Sequence, residues 1–434
     1  MRENRFPTFI KAFADTSFFT ILNALFGIIT AIILARQLGP ESRGILAIIV
    51  ASVTILSAFS DLYQGGNEIA LGKNNNLIKK LFFISFLGAL FFSITFFLLS
   101  TNSKISNFLL ASDDLSIRIL ASLFFLQIIL YDGLRRLLNA KQDFFFINRV
   151  ELLSTIIFFI TFVSFALNGL ISVRNILLIY FLSNSIKILI SLYKIIKYIR
   201  EIDTYKTENS WLSEIFRIGK RNFLWSVPYS LIQRMSIWQI AMLSNNSNVG
   251  LFRVGTTLTE MVMMIPRSAN IITRGKAVSE KGGWDQALVA AKMIFIFGMI
   301  CSIIFAATGW FLIPIIFGEQ FSDVYKVGII LILSTSFFGN VFVLEAQIVS
   351  KKRFPNEVIY ANYICLAILA ILNFFFIKAL GLLGAGYAYL LTTICLYLLY
   401  NSIFSKYANI KTYDAICINK EDTKKMISFL KQFS

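Results

Sequence analysis

The chain has 434 residues, 57% of them hydrophobic and only 15% charged, with mean hydropathy +0.71 and a formal net charge of +17. That composition excludes both a soluble globular domain and a disordered chain. Histidine is absent, and Cys301, Cys365, Cys395 and Cys417 form no CxxC pair, so neither a metal site nor any other cofactor is expected.

A helix crosses a hydrocarbon core of ~30 Å with about 20 mostly apolar residues. In chain order, segments of that kind run near 14–35, 45–64, 78–100, 116–138, 147–167 and 175–196, then 217–243, 249–271, 288–316, 325–349, 357–377 and 383–404. Strand-sized alternating stretches are absent, and lipid leaves helices as the natural spanning form. Lys11 and Asp15 interrupt the early apolar run, so no removable signal peptide is expected. The expected fold class is an all-α polytopic membrane protein of about 12 transmembrane helices, arranged as two six-helix lobes around a central cavity. The lobes are 1–199 and 214–407, joined by a polar cytoplasmic linker at 200–213, and 408–434 forms a cytoplasmic tail. Within the tail, Glu421–Phe433 reads as a short amphipathic surface helix.

Orientation follows from lysine and arginine counts in the short loops. The N-terminus carries three, the loops after segments 2, 4, 6, 8 and 10 carry three, four, seven, five and three, and the tail carries six. The opposite loops share only seven, leaving Lys187, Arg234 and Arg253 inside spans. Both termini are therefore expected on the cytoplasmic side. The net positive charge is mostly this sided bias, so no nucleic-acid partner is expected.

The charges inside spans fall on stripes. Segment 2 read at helical spacing gives Arg43, Ala47, Val50, Thr54, Ser57, Asp61, Gln64 and Glu68 on one face. Segment 8 gives Arg253, Glu260, Arg267 and Arg274, each seven apart. Segment 1 adds the uncharged Thr16, Thr20, Asn23, Gly27 and Thr30, and segment 7 offers Lys220 and Arg234. A charge near the bilayer centre costs at least ~2.5–3.5 kcal/mol, so these faces belong toward water or partners. Arg234 and Glu260 both sit roughly 15–18 Å from the outer end of their segments, near the midplane. Two readings stand for them: a self-neutralising ion pair between packed helices, or a substrate- or ion-responsive site. Lys187 likewise either lines a cavity with Asn184, Ser191 and Lys194 or snorkels to the interface. Arg135, Arg136, Lys351, Lys352 and Arg353 read as topology determinants.

The stretch Ala35-Arg36-Gln37-Leu38-Gly39-Pro40-Glu41-Ser42-Arg43-Gly44 resembles the "ARxLGPxxxG" signature after the first helix of Wzx-type polysaccharide flippases. These belong to the multidrug/oligosaccharidyl-lipid/polysaccharide exporter superfamily. Val249-Gly250-Leu251-Phe252 with Ile265-Pro266, Phe317-Gly318-Glu319-Gln320-Phe321 and Gly381-Leu382-Leu383-Gly384-Ala385-Gly386 follow in the family's order. One departure stands out: many members carry Arg-x-Asp in the seventh helix, where this chain has Arg234-Met235-Ser236.

The resemblance implies a non-enzymatic flippase of the bacterial inner (cytoplasmic) membrane. Its cargo would be an oligosaccharide repeat unit, such as an O-antigen unit of lipopolysaccharide, linked to undecaprenyl diphosphate and moved from the cytoplasmic to the periplasmic leaflet by alternating access. Implied partners are this lipid-linked oligosaccharide, membrane lipids, and a polysaccharide polymerase and chain-length regulator. Arginine suits the diphosphate because its planar fork binds phosphate oxygens bidentately. Candidate binding residues are Arg234, Arg253, Arg43, Arg267 and Lys187; candidate ion-coupling carboxylates are Glu260, Asp61 and Glu68. Alternatives are a drug or metabolite antiporter or a lipid II flippase of the same superfamily. A membrane O-antigen polymerase or ligase, typically built with a large periplasmic loop, finds no outer loop here longer than about 17 residues.

Overall fold

The computed structural model describes residues 6–201, 211–279, 283–352 and 354–417. Its first helix, α1 (Phe6–Ser57), is two helices joined at Gly39, whose φ of 70° and ψ of 175° lie outside helical space. Glycine takes that left-handed φ without a Cβ penalty, and Pro40 has no amide to continue the ladder. The signature stretch at 35–44 is therefore the bend that separates segments 1 and 2.

A 3₁₀ turn over Ala58–Ser60 leads into α2 (Asp61–Gln64) and α3 (Asn67–Lys73). Then come α4 (Ile78–Ser100), the short α5 (Ser103–Leu110), α6 (Leu115–Ala140), α7 (Phe144–Leu167) and α8 (Val173–Arg200). The second half has α9 (Trp211–Leu243), α10 (Asn246–Val262), α11 (Met264–Ser279), α12 (Trp284–Phe317), α13 (Val324–Lys352), α14 (Asn356–Leu380), α15 (Leu382–Ala408) and α16 (Thr412–Ile416). Asn102, Asp114, Ser172 and Asn245 cap α5, α6, α8 and α10 with side-chain oxygens that accept orphan amides of the first turn.

Among the described residues, nine helices are long and apolar enough to span a membrane, and one of them, Leu22–Lys73, holds both segments 1 and 2. The remaining expected spans, segments 7 and 8, form helices too. Segment 7 is too polar along its length to count among them, and segment 8 is broken at Met263 into α10 and α11, each too short to span alone. Pro266, in the first turn of α11, cannot donate to Val262, which accounts for the break. The seven-residue stripe of segment 8 is thus carried on two helices.

The chain divides into two compact units, Met1–Ser230 and Leu231–Ser434. The division falls within α9, downstream of the 200–213 segment, of which 202–210 lie outside the described residues. The start of α9 packs tightly on the first unit. A Cβ on Gly219 would collide with the Leu62 carbonyl, and one on Gly66 would come within 2.8 Å of the Ile215 carbonyl. Lys73 also pairs with Glu214. Gly219→Val is therefore expected to destabilise the first unit by about 1–3 kcal/mol, read as a lower melting temperature of the detergent-solubilised protein. An unchanged melt would contradict the close approach.

Packing within the units repeats. In the first, α6 is central and contacts α4 and α8, with α7 against α8 and the end of segment 2 (α3) against α6. In the second, α13 is central and contacts α12 and α15, with α14 against α15 and segment 8 (α10 and α11) against α13. The same segments pair in the same order, as a six-helix duplication requires. Helix contacts are made through small or hydrogen-bonding side chains. On α4, Ser85, Ala89 and Ser93 are buried at four-residue spacing, and Ser93 donates to the Ser122 carbonyl of α6 at 2.8 Å. Its outward face is apolar and exposed, as at Leu87, Phe91 and Leu98.

Candidate functional site

In the first unit, a cavity of about 410 Å³ is lined by six charged groups, Asp61, Asp132, Arg135, Arg136, Glu151 and Lys187. Arg136 donates one guanidinium nitrogen to Asp61, and its Nε donates to Asp132 at 2.9 Å. Arg135 stands 3.6 Å from Glu151, which also accepts from the Tyr131 hydroxyl at 3.1 Å. The Lys187 ammonium lies 4.0 Å above the centre of the Tyr131 ring, a cation–π contact. Lys187 thus lines the cavity; it does not extend along the helix to the membrane surface. Asp132 and Arg136 are one turn apart on α6, so the helix itself aligns them.

The expected stripe of segment 2 holds only in part. Thr54, Ser57 and Asp61 line the cavity. Beyond them the 3₁₀ turn and the Gly65-Gly66 link change the winding. Gln64 instead donates to the Ile129 carbonyl at 3.3 Å, and Glu68 is exposed. Arg43 is buried, at 6% exposure, and is not among the cavity-lining residues.

The second unit brings together Arg234, Arg253, Glu260 and Arg267. Glu260 takes a fork from Arg253 on its own helix, with Nη1 to Oε1 at 2.8 Å and Nη2 to Oε2 at 3.1 Å. Seven residues place the two on one face about 10.5 Å apart along the axis, a gap their long side chains close. The ion pair that segment spacing allowed between Arg234 and Glu260 is therefore not the one formed. Arg234 feels the charges of Arg253, Glu260 and Arg267, and among the described residues it has no carboxylate at ion-pair distance. Arg267 is exposed, on the far side of the α10–α11 break. Arg274, the last of the stripe, lies 3.6 Å from Glu345 of α13, whose carboxylate is fully buried.

Where the related pattern has Arg-x-Asp, Ser236 is buried and accepts from Asn373 Nδ2 at 3.0 Å. Asn373 also donates to Gln239 Oε1 at 2.7 Å, and Gln239 donates to the Ala370 carbonyl. A neutral network tying α9 to α14 stands in the carboxylate's place. The groups that spacing alone did not single out are Asp132, Glu151 and Glu345; Arg135 and Arg136, read from the sequence as topology determinants, are engaged in ion pairs. For Arg136 the signal was present as the i, i+4 pair with Asp132.

Residues 10–275 match the family described as polysaccharide biosynthesis protein. No curated protein matches the chain. Among solved structures, an inward-closed lipid II flippase MurJ superposes with TM-score 0.73 at 16% identity, covering 96% of this chain and 93% of that one. An inward-facing multidrug resistance MATE family transporter of the MOP superfamily gives TM-score 0.66 at 14% identity, covering 88% and 95%. The outward-facing form gives 0.60 at 14%, covering 92% and 96%. At these identities the likeness establishes the fold alone, the one these solved transporters share.

Proposed function

The chain belongs to the polysaccharide biosynthesis protein family, and on that premise we propose that it is a flippase for oligosaccharide repeat units carried on undecaprenyl diphosphate. The direction is from the cytoplasmic to the periplasmic leaflet of the bacterial inner membrane, with both termini cytoplasmic. The observation that carries this reading is the cluster of Arg234, Arg253 and Arg267 around Glu260, the one carboxylate near them among the described residues. Three guanidinium groups to one carboxylate leave an uncompensated positive charge that fits a diphosphate, which cannot cross lipid unaided.

The Arg253–Glu260 fork supplies a coupling device. A diphosphate competes with Glu260 for the same planar donors. Once displaced, the part-exposed carboxylate has lost both charged donors and can take up a proton in their place. Release of the diphosphate lets the fork re-form and returns the proton. Asp61 is already engaged by Arg136 and Glu68 is exposed, so Glu260 is the carboxylate this cycle uses. Arg43 and Lys187 belong to the first unit and are not assigned to the diphosphate. A polysaccharide polymerase and a chain-length regulator would receive the flipped units.

A second reading, lipid II as cargo, draws on the structural likeness to MurJ. Both cargoes share the diphosphate and polyprenyl tail. An organic-cation antiporter is opposed by the excess positive charge. The test is Arg253→Ala and Arg234→Ala in the producing strain, with membrane insertion checked by blotting. Loss of surface polysaccharide with intact growth supports the repeat-unit flippase, lysis on depletion supports lipid II, and normal polysaccharide in both variants rejects the cationic site.

A further inference from the structure

We propose that the cavity of the first unit is a subsite for an uncharged pyranose of the cargo, a reading that rests on the flippase function above. Its three carboxylates, Asp61, Asp132 and Glu151, match its three cations, Arg135, Arg136 and Lys187, so the lining carries no net charge. An anionic sugar would face the carboxylates and a cation would face the arginines. A neutral polyol meets neither penalty, because each hydroxyl both donates and accepts.

The uncharged part of the lining is set to receive such hydroxyls. Gln127 is 6% exposed, and its amide nitrogen donates to the Phe181 carbonyl at 3.0 Å and to Ser185 Oγ at 2.8 Å. Those two bonds fix the side chain, while its Oε1 has no hydrogen-bond partner. A buried acceptor left without a donor costs about 1–3 kcal/mol, so this one, just behind the cavity lining, gains from any ligand hydroxyl or water that a small shift of the wall lets reach it. The Thr54 hydroxyl donates to the Val50 carbonyl at 2.6 Å and that of Ser57 to the Thr54 carbonyl at 2.8 Å, so both offer only lone pairs inward. Asn184 and the Lys187 ammonium of α8 add donors to the same lining. A volume of about 410 Å³ lies within the range of small-molecule sites, roughly 300–1,000 Å³.

The test is saturation-transfer NMR on the full chain in lipid nanodiscs, with methyl glucoside and methyl N-acetylglucosaminide as probes and glucuronate and choline as charged controls. Saturation is expected for the neutral glycosides. It should fall roughly fivefold or more in Gln127→Leu and in Asn184→Leu, as one lost hydrogen bond predicts. Asn184 is only half-buried, so its variant folds even where the Gln127 change does not. Equal saturation in wild type and both variants, no saturation in wild type, or a charged control as strong as the glycosides overturns the subsite. The two proposals fail separately. Polysaccharide lost in Arg253→Ala with saturation indifferent to Gln127 retires the subsite alone, whereas normal polysaccharide with Gln127-dependent saturation retires the flippase alone.

Discussion

Replacing Arg136 by methionine is expected to destabilise the first unit by ~3–5 kcal/mol, the cost of leaving buried charges without their partner. Asp61 is only 7% exposed, and Asp132 shares the same guanidinium. At the size of this unit, that corresponds to a fall in melting temperature of roughly ten degrees or more. The cause separates from a simple loss of packing by a double substitution. Arg136→Met with Asp61→Asn removes both charges while keeping volume, and it should recover most of the loss. An interaction energy near zero across that cycle would mean the pair contributes nothing to stability.

The pair has a counterpart. Asp61 to Arg136 joins segment 2 to segment 4, and Arg274 to Glu345 joins segment 8 to segment 10, with the signs exchanged. The duplication seen in helix packing thus extends to an electrostatic tie at matching places. Sequence comparison of the halves misses it, because acid and base have traded positions. Packing geometry retains the correspondence that residue identity has lost.

Helix existence was legible because lipid forces it: each span must satisfy its own backbone, so apolar length alone marks α4, α6, α12 or α14. The polar faces of segments 2 and 8 were legible for the same reason, since charges at that depth cannot face hydrocarbon. What spacing did not decide is partner choice. Glu260 had arginines available on two elements, and the fork from Arg253 depends on side-chain reach within one helix. Continuity was also hidden. The 3₁₀ turn at Ala58–Ser60 and the break at Met263 move Glu68 and Arg267 off the faces that an ideal helix predicts. Pro266 marked the second break in the sequence, whereas no proline marks the first. Glu345 escaped notice because a single carboxylate inside an apolar run makes no stripe; only the folded contact with Arg274 shows what it meets.

Glu260→Gln is expected to separate binding from transport. The ionised carboxylate holds the Arg253 fork through two charge-assisted bonds of 2.8 and 3.1 Å, each worth ~1.5–3 kcal/mol. An incoming diphosphate must break them. Glutamine keeps the size but offers one neutral acceptor, so the competing hold is roughly halved. Inorganic diphosphate should then bind the nanodisc-embedded variant about tenfold more tightly, a difference of ~1.4 kcal/mol. Turnover should move the other way. With no carboxylate to reclaim the fork or carry a proton, the diphosphate leaves slowly, and surface polysaccharide falls although the protein is folded and binds well. Arg253→Lys makes the complementary case: it keeps the charge but loses the planar fork, so both diphosphate affinity and polysaccharide output decline. Calorimetric titration of diphosphate beside polysaccharide output in cells reads both effects. Weaker diphosphate binding in Glu260→Gln, or unimpaired polysaccharide alongside tighter binding, would refute the exchange of partners at Arg253.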